Sequence, residues 1–154
     1  MLHAVFLVTY LAFWALFLLL RHALGVSWPG TVSGMDLLLL SMATFRITEV
    51  ITEEKIARFL RAPFCKKVLV TKPDGTQEEE EVPSGSGLRR VAGELILCPW
   101  CAGIWVGTLL TFAWVLFPSV ARVVILAFAV AAGGLAFQIF TKLMDRGRKA
   151  LPEE

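Results

Sequence analysis

Apolar positions in this chain fall in long unbroken runs, not in the short alternating or helical patterns of a water-soluble core. Residues 2–20 carry no formal charge, close to the ~20 residues a helix needs to cross a ~30 Å hydrocarbon layer. The basic leader and small-residue cleavage site of a secretory signal are missing ahead of Arg21 and His22, so the run reads as an uncleaved span. Residues 95–121 are uncharged over 27 positions and residues 123–141 over 19, with Phe117-Pro118-Ser119 and a single Arg122 marking a turn. These two runs predict a helical hairpin of antiparallel neighbours. Small residues mark where its arms would touch: Gly103 and Gly107 as a GxxxG on the first arm, and Ala129, Ala132, Gly133, Gly134 and Ala136 on the second.

A further candidate is interrupted by charge. Only nine uncharged residues, 37–45, lie between Asp36 and Arg46. A helix starting at Ser33, with Ser33 and Asp36 as a capping-box pair, would carry Arg46 about 20 Å in, from where its guanidinium could snorkel to the far interface. Ser41, Thr44, Thr48 and Thr52 would form a polar stripe facing other helices. The same helix is expected to continue along the surface to Arg61, with Glu54 and Arg58 paired and Ile51, Ile56, Phe59 and Leu60 turned to the membrane. Arg46 with Glu49 at i+3 is an ion pair at or inside the membrane, and structural pairing is the preferred reading of it.

Composition and charge sharpen the picture. The hydrophobic share is 56%, and counted with Gly and without Tyr it rises to roughly 63%, against ~45–50% for a soluble domain. A chain of 154 residues cannot hide that surplus in one small core, so lipid is the expected solvent. With 15 Lys+Arg against 13 Asp+Glu there is no bulk field for nucleic acid. Cations concentrate in residues 46–90 and after residue 141, which places both segments in the cytoplasm. Four spans give 13 cations inside against Arg21 and Arg122 outside, and three spans give 14 against 1. Charge therefore does not choose, and the uniformly apolar stretch 37–45 favours four.

The expectation is an all-α integral membrane protein in one domain, residues 1–154. It is a bundle of four transmembrane helices, or three, spanning 2–21, 34–52, 95–117 and 120–141. A cytoplasmic loop, 53–94, and a basic tail, 142–154, complete the chain. Within the loop, residues 67–82 predict a small β-hairpin turning at Pro73-Asp74-Gly75, with Glu78 to Glu81 as a solvated acidic strand facing Lys66 and Lys67. Residues 83–87 read as a flexible linker.

Cys98-Pro99-Trp100-Cys101 sits at the start of the 95–117 span. Its CxxC has three physical uses. It can cycle between dithiol and disulfide, it can supply half of a zinc site, or it can be structural, with Pro99 opening a helix and Trp100 anchoring at the headgroups. The redox use lacks a thioredoxin-like pattern or a second cysteine pair, and the zinc use has only Cys65 and His3 as further donors. The structural use is preferred, with no metal or cofactor expected. Trp14, Trp28, Trp105 and Trp114 read as span filler and interfacial belt.

Two segments together resemble a known family. Ala43-Thr44-Phe45-Arg46-Ile47-Thr48-Glu49, with the Ile56 to Phe64 stretch, and Leu97-Cys98-Pro99-Trp100-Cys101-Ala102-Gly103-Ile104-Trp105-Val106-Gly107 are similar to the domain of unknown function 1360 family of small bacterial and phage membrane proteins, some of them sporulation-associated. The resemblance covers about residues 35–117. It implies a membrane protein without established activity, in which Arg46, Cys98 and Cys101 share a core. The functional expectation is a non-enzymatic structural or interaction component of a bacterial or phage membrane. Its candidate core residues are Arg46, Glu49, Cys98, Pro99, Trp100, Cys101, Gly103 and Trp105. Expected partners are the bilayer, anionic lipid at Lys142, Arg146, Arg148 and Lys149, and a second copy or another membrane protein. Two alternatives stand beside it: a phage holin-like protein, and a membrane thiol oxidoreductase using Cys98 and Cys101.

Overall fold

A computed structural model describes residues 2–28, 30–73 and 75–149. The chain runs α1 (Leu2–Ala23), α2 (Gly34–Thr52), a 3-10 turn (Lys55–Ala57), α3 (Arg58–Arg61), β1 (Cys65–Thr71), β2 (Gln77–Pro83), α4 (Leu88–Leu97), α5 (Pro99–Leu116) and α6 (Pro118–Lys149). Of these, α1, α5 and α6 are long and apolar enough to cross a membrane. The 19 residues of α2 include Asp36, Arg46 and Glu49, whereas each of the other three holds an 18-residue apolar window with at most two charges.

Helix starts follow local chemistry. Ser33 caps α2 as a full capping box: its hydroxyl accepts the Asp36 N–H at 3.1 Å, and its own N–H donates to the Asp36 carboxylate at 3.0 Å. This satisfies two donors that a helix start otherwise leaves open. Pro99 and Pro118 open α5 and α6, where the missing N–H costs nothing. The uncharged run from residue 95 is not one helix. It breaks at Cys98, in extended conformation, and residues 95–97 belong to α4. The spacing of Leu88, Val91 and Leu95, with Arg89, Arg90 and Glu94 between them, makes α4 amphipathic.

The central element is α2, which packs against both α5 and α6. The expectation that the GxxxG would close the α5–α6 hairpin is corrected. A Cβ on Gly107 would lie 3.3 Å from Thr44 Cγ2, and one on Gly103 would lie 3.7 Å from Thr48 Oγ1, so both glycines face α2. Likewise Gly133 of α6 meets Met42. The pairing of 103 with 48 and 107 with 44 makes α2 antiparallel to α5. The polar stripe turns inward at its end, with Thr48 and Thr52 buried and Thr44 half-buried, while Ser41 stays exposed. Ala43, fully buried, sits in one cluster with Val106, Leu110, Ala121 and Ile125.

Aromatic packing attaches α1. Phe17 stacks on Phe112 with ring centroids 3.7 Å apart, Trp14 meets Phe112 edge-on at 4.9 Å, and the Tyr10 and Thr108 hydroxyls share a hydrogen bond of 3.1 Å. Contacts of Phe6 with Trp105 and of Phe13 with Phe112 climb both helices in the same direction, so α1 and α5 are parallel. The outer faces stay bare: Leu7, Val8, Leu11 and Leu19 on α1, and Val123, Leu126, Val130 and Phe137 on α6, are all exposed.

A polar cap closes the end of the bundle where α2 finishes. Helix α2 stops at Thr52 and does not run on to Arg61. Ile51 packs into the core, while Ile56, Phe59 and Leu60 point outward as expected. Glu54 pairs with Arg46, not with Arg58, which approaches Glu81 at 3.7 Å. The hairpin pairs Cys65 with Pro83 through Thr71 with Gln77. Asp74 of the expected turn lies outside the described residues. Lys67–Glu79 and Lys72–Glu78 are surface pairs, whereas Glu81 turns in to Arg61 at 2.7 Å. The supposed linker is a compact turn: Gly85 and Gly87 take φ of +82° and +59°, and Arg89 donates to the Pro63 carbonyl at 2.7 Å.

Arg61 is 4% exposed and donates to the Ile51 carbonyl at 2.7 Å, the Glu54 carbonyl at 3.0 Å and the Glu81 carboxylate. It therefore closes the open end of α2 and ties the hairpin to it. Arg61→Met is expected to lower cap stability by about 3–5 kcal/mol, because Glu81 loses its buried partner. Limited proteolysis of the hairpin should show faster cleavage, and an unchanged rate contradicts the clamp. A Cβ on Gly93 would lie 2.7 Å from the Phe64 carbonyl oxygen and 3.2 Å from Pro83. Gly93→Ala should thus cost about 1–3 kcal/mol by overpacking, read as a lower midpoint for loss of the same protection.

Candidate functional site

The first turn of α5 and its cap gather half of the sequence-predicted residues, Cys98, Pro99, Trp100 and Cys101. Cys98 is its N-cap: the sulfur accepts the Cys101 N–H at 3.3 Å, and Pro99 fixes the first helical φ. The hydrogen bond from the Cys101 thiol, joined by the Cys101 and Trp100 amides, holds the Cys98 thiol below its ordinary pKa. At Cys65, burial pushes the thiol up, and the nearby Glu81 carboxylate adds to the rise. All three cysteines are free.

Neighbouring side chains of this turn go to different faces. Pro99, Gly103 and Gly107 line a groove of about 640 Å³ against α2, together with Thr44, Thr48 and Thr52. Cys101 and Trp105 line a second crevice of about 610 Å³ against α1 and α4, with Phe6, Leu88, Val91 and Leu95. Trp100 borders both and is 88% exposed. Trp105 is no filler. Its ring meets Phe6, Tyr10 and Phe13 edge-on at 5.6, 5.5 and 5.7 Å, and its buried indole N–H has no acceptor among the described residues. Trp28 takes the Arg21 guanidinium over its face at 5.0 Å.

On α2, Arg46 pairs with Glu49 at 2.8 Å and with Glu54 at 2.5 Å. By the α2–α5 register, Arg46 lies level with position 105, about 9 Å inside the start of α5 at 1.5 Å per residue. Its reach to Glu54, beyond the end of α2, carries the charge toward the polar cap. Glu49 also borders the α2–α5 groove, which brings it, Gly103, Pro99 and Trp100 into one site. Cys101 and Trp105 face away from that site, into the second crevice. Cys65 stays with the hairpin: among the described residues no three His, Cys, Asp or Glu side chains converge. His3, the other zinc donor considered, lies outside the described side chains.

Arg61 and α4 escaped the sequence reading. The signal for α4 was present in the 88, 91, 95 apolar spacing, masked by the uncharged run that begins at Leu95. For Arg61 the signal was weaker, a cation a few residues beyond a helix end that offered open carbonyls.

Comparison with known proteins bears on this arrangement. The family described as a protein of unknown function (DUF1360) matches residues 39–141, a stretch that starts in α2, ends in α6 and contains the whole site. The UPF0713 protein YngL of Bacillus subtilis is 31% identical over 100 residues, covering 65% of this chain and 73% of the relative. The sporulation protein YjcA of the same organism is 34% identical over 105 residues, covering 68% of this chain and 87% of the relative. No solved structure matches. With the Arg46 helix and the Cys98–Cys101 turn both inside the matched stretch, and two curated relatives aligned over most of their lengths, the chain belongs to the DUF1360 family.

Proposed function

We propose that this chain is a bacterial integral membrane protein of four crossing helices, a non-enzymatic component that acts through its cytoplasmic cap. The observation that carries the reading is the antiparallel packing of α2 along α5. If α5 crosses, α2 lies at the same depth, and its charges fall near the two ends of the span. Asp36 belongs with Arg21, Arg122 and the α5–α6 turn, while Arg46 and Glu49 reach toward the cap. Directions alternate from α1 to α2, α5 and α6, so the cap, the start of α1 and the end of α6 share one side. That side carries 13 of the 15 Lys and Arg, which the positive-inside rule assigns to the cytoplasm. Exposed leucine, valine and phenylalanine on α1 and α6 suit lipid contact.

At 32 residues, α6 is about 48 Å long against a ~30 Å hydrocarbon layer. Its last turns, with Lys142 and Arg146, would therefore stand in the headgroup region, each cation adding about 1 kcal/mol of attraction to anionic lipid. Arg148 and Lys149 of the expected tail lie outside the described side chains. One relative is a sporulation protein, and the membrane of a spore-forming bacterium is a setting that suits this reading.

A second reading, thiol exchange at the cytoplasmic interface, is favoured by one observation: Cys98 caps α5 with a thiol held low beside a second cysteine.

Two measurements test these readings. A fluorescent protein fused ahead of Met1 should glow in intact cells, and an alkaline phosphatase at the same place should be inactive. An active phosphatase would overturn the four-span arrangement. For the thiols, a lowered pKa gives thiolate at lower pH and a raised one delays it. Alkylation of the wild-type protein by a water-soluble maleimide, followed by peptide mapping, should label Cys98 ahead of Cys65, with the Cys98 rate reaching half its plateau at lower pH. The reverse order would remove the thiol-exchange reading.

A further inference from the structure

We infer that the groove between α2 and α5 binds the primary ammonium headgroup of an aminophospholipid, with Glu53 as counter-ion, the Thr52 hydroxyl as hydrogen-bond acceptor and Trp100 as aromatic wall. The inference rests on the membrane-spanning reading above. Thr52 supplies the first observation. Ser41, Thr44 and Thr48 each donate a hydrogen bond to the carbonyl four residues back, at 2.7, 2.8 and 2.7 Å. Thr52 continues the stripe and is 6% exposed, yet its hydroxyl has no partner among the described residues. A buried hydroxyl left unpaired costs about 1–3 kcal/mol, and Thr52 is among the residues that line the groove of about 640 Å³.

Charge supplies the second observation. Glu49 and Glu54 share Arg46, which leaves that cluster one negative charge in excess. Glu53, exposed at the groove, takes no ion pair among the described residues and adds a second. The groove mouth is thus an acidic spot on the side of the protein that holds most of its cations. An anion finds little here: Pro99 has no N–H, and the Cys98 sulfur occupies the Cys101 amide. An ammonium group has three donors. It can give one to Glu53 and one to Thr52 while lying against the exposed Trp100 ring as a cation–π contact. Above these polar groups the groove is walled by Leu40, Phe45 and Ile104, a surface for the acyl chain of the same molecule.

The full-length protein is reconstituted in vesicles of equal parts phosphatidylethanolamine and phosphatidylglycerol. Insertion is checked by resistance to carbonate, and lipid retained after gentle extraction is quantified by mass spectrometry. Wild type should retain phosphatidylethanolamine over phosphatidylglycerol by about tenfold, the size of one charge-assisted contact. Glu53→Gln and Thr52→Val, both near-isosteric, should bring the ratio toward parity, while Glu94→Gln on α4 should leave it unchanged. Replacing phosphatidylethanolamine by its N-trimethylated analogue, phosphatidylcholine, should lower the enrichment several-fold, since that headgroup keeps its charge but has no N–H to donate. An inserted wild-type protein with no enrichment overturns the inference alone, as does enrichment that survives both variants or is undiminished with the methylated headgroup. Extraction of the protein by carbonate overturns the membrane-spanning reading and the inference with it.

Discussion

Close backbone contact between α2 and α5 is the constraint on which the rest of this structure depends. Gly103 and Gly107 present no side chain, so Thr44 and Thr48 settle directly on the α5 backbone. On the other side of α2, Gly133 of α6 gives the same room to Met42. A helix bearing Asp36, Arg46 and Glu49 is thereby held between two apolar ones, with Ala43 wholly buried where they meet. The hydroxyls of Thr44 and Thr48 donate within their own helix, so the surface they offer to α5 is methyl and a hydroxyl oxygen whose proton is already placed. Small and β-branched residues let helix backbones approach closely.

The polar end of the bundle follows from where α2 stops. Its last carbonyls need donors, and Arg61 brings them along with a link to Glu81. Arg46 reaches past the same helix end to Glu54. Two arginines from different segments therefore converge on the α2 terminus, one from within the helix and one from beyond it. The hairpin, which as an isolated two-stranded ribbon would be marginal, is held by this junction and by the contact of Gly93 with the Phe64 and Pro83 backbone. The break at Cys98 lets α4 lie under the hairpin while α5 turns into the bundle. The cysteine at that break serves as the cap of α5 whatever further chemistry it performs.

Much of this was readable from the residues. Long uncharged runs located α1 and the α5–α6 pair because nothing else in a 154-residue chain accounts for them. Ser33 and Asp36 announced the start of α2, and the threonine stripe announced its buried face. Other features were out of reach for definite physical reasons. A GxxxG says that one face admits a close neighbour, but not which helix fills it, so the residues alone point Gly103 and Gly107 at α6 whereas they meet α2. Charge reads as exposure, which hid the burial of Arg61 and the inward turn of Glu81. An uncharged run does not reveal an internal break, and the helix boundary at Cys98 shows only once its sulfur is seen to cap α5. Of the candidate site, Glu49, Pro99, Trp100 and Gly103 line the groove between α2 and α5, while Cys101 and Trp105 face α1 and α4.

The packing of α2 on α5 is tested most directly by cross-linking in intact cells. In a variant with Cys65, Cys98 and Cys101 replaced by serine, Thr44→Cys combined with Gly107→Cys should form an intramolecular disulfide rapidly on mild oxidation. The pair Thr44→Cys with Gly134→Cys, whose glycine meets no neighbour within 4 Å, should not. Failure of the first pair to close, or equal closure of both, would contradict the account.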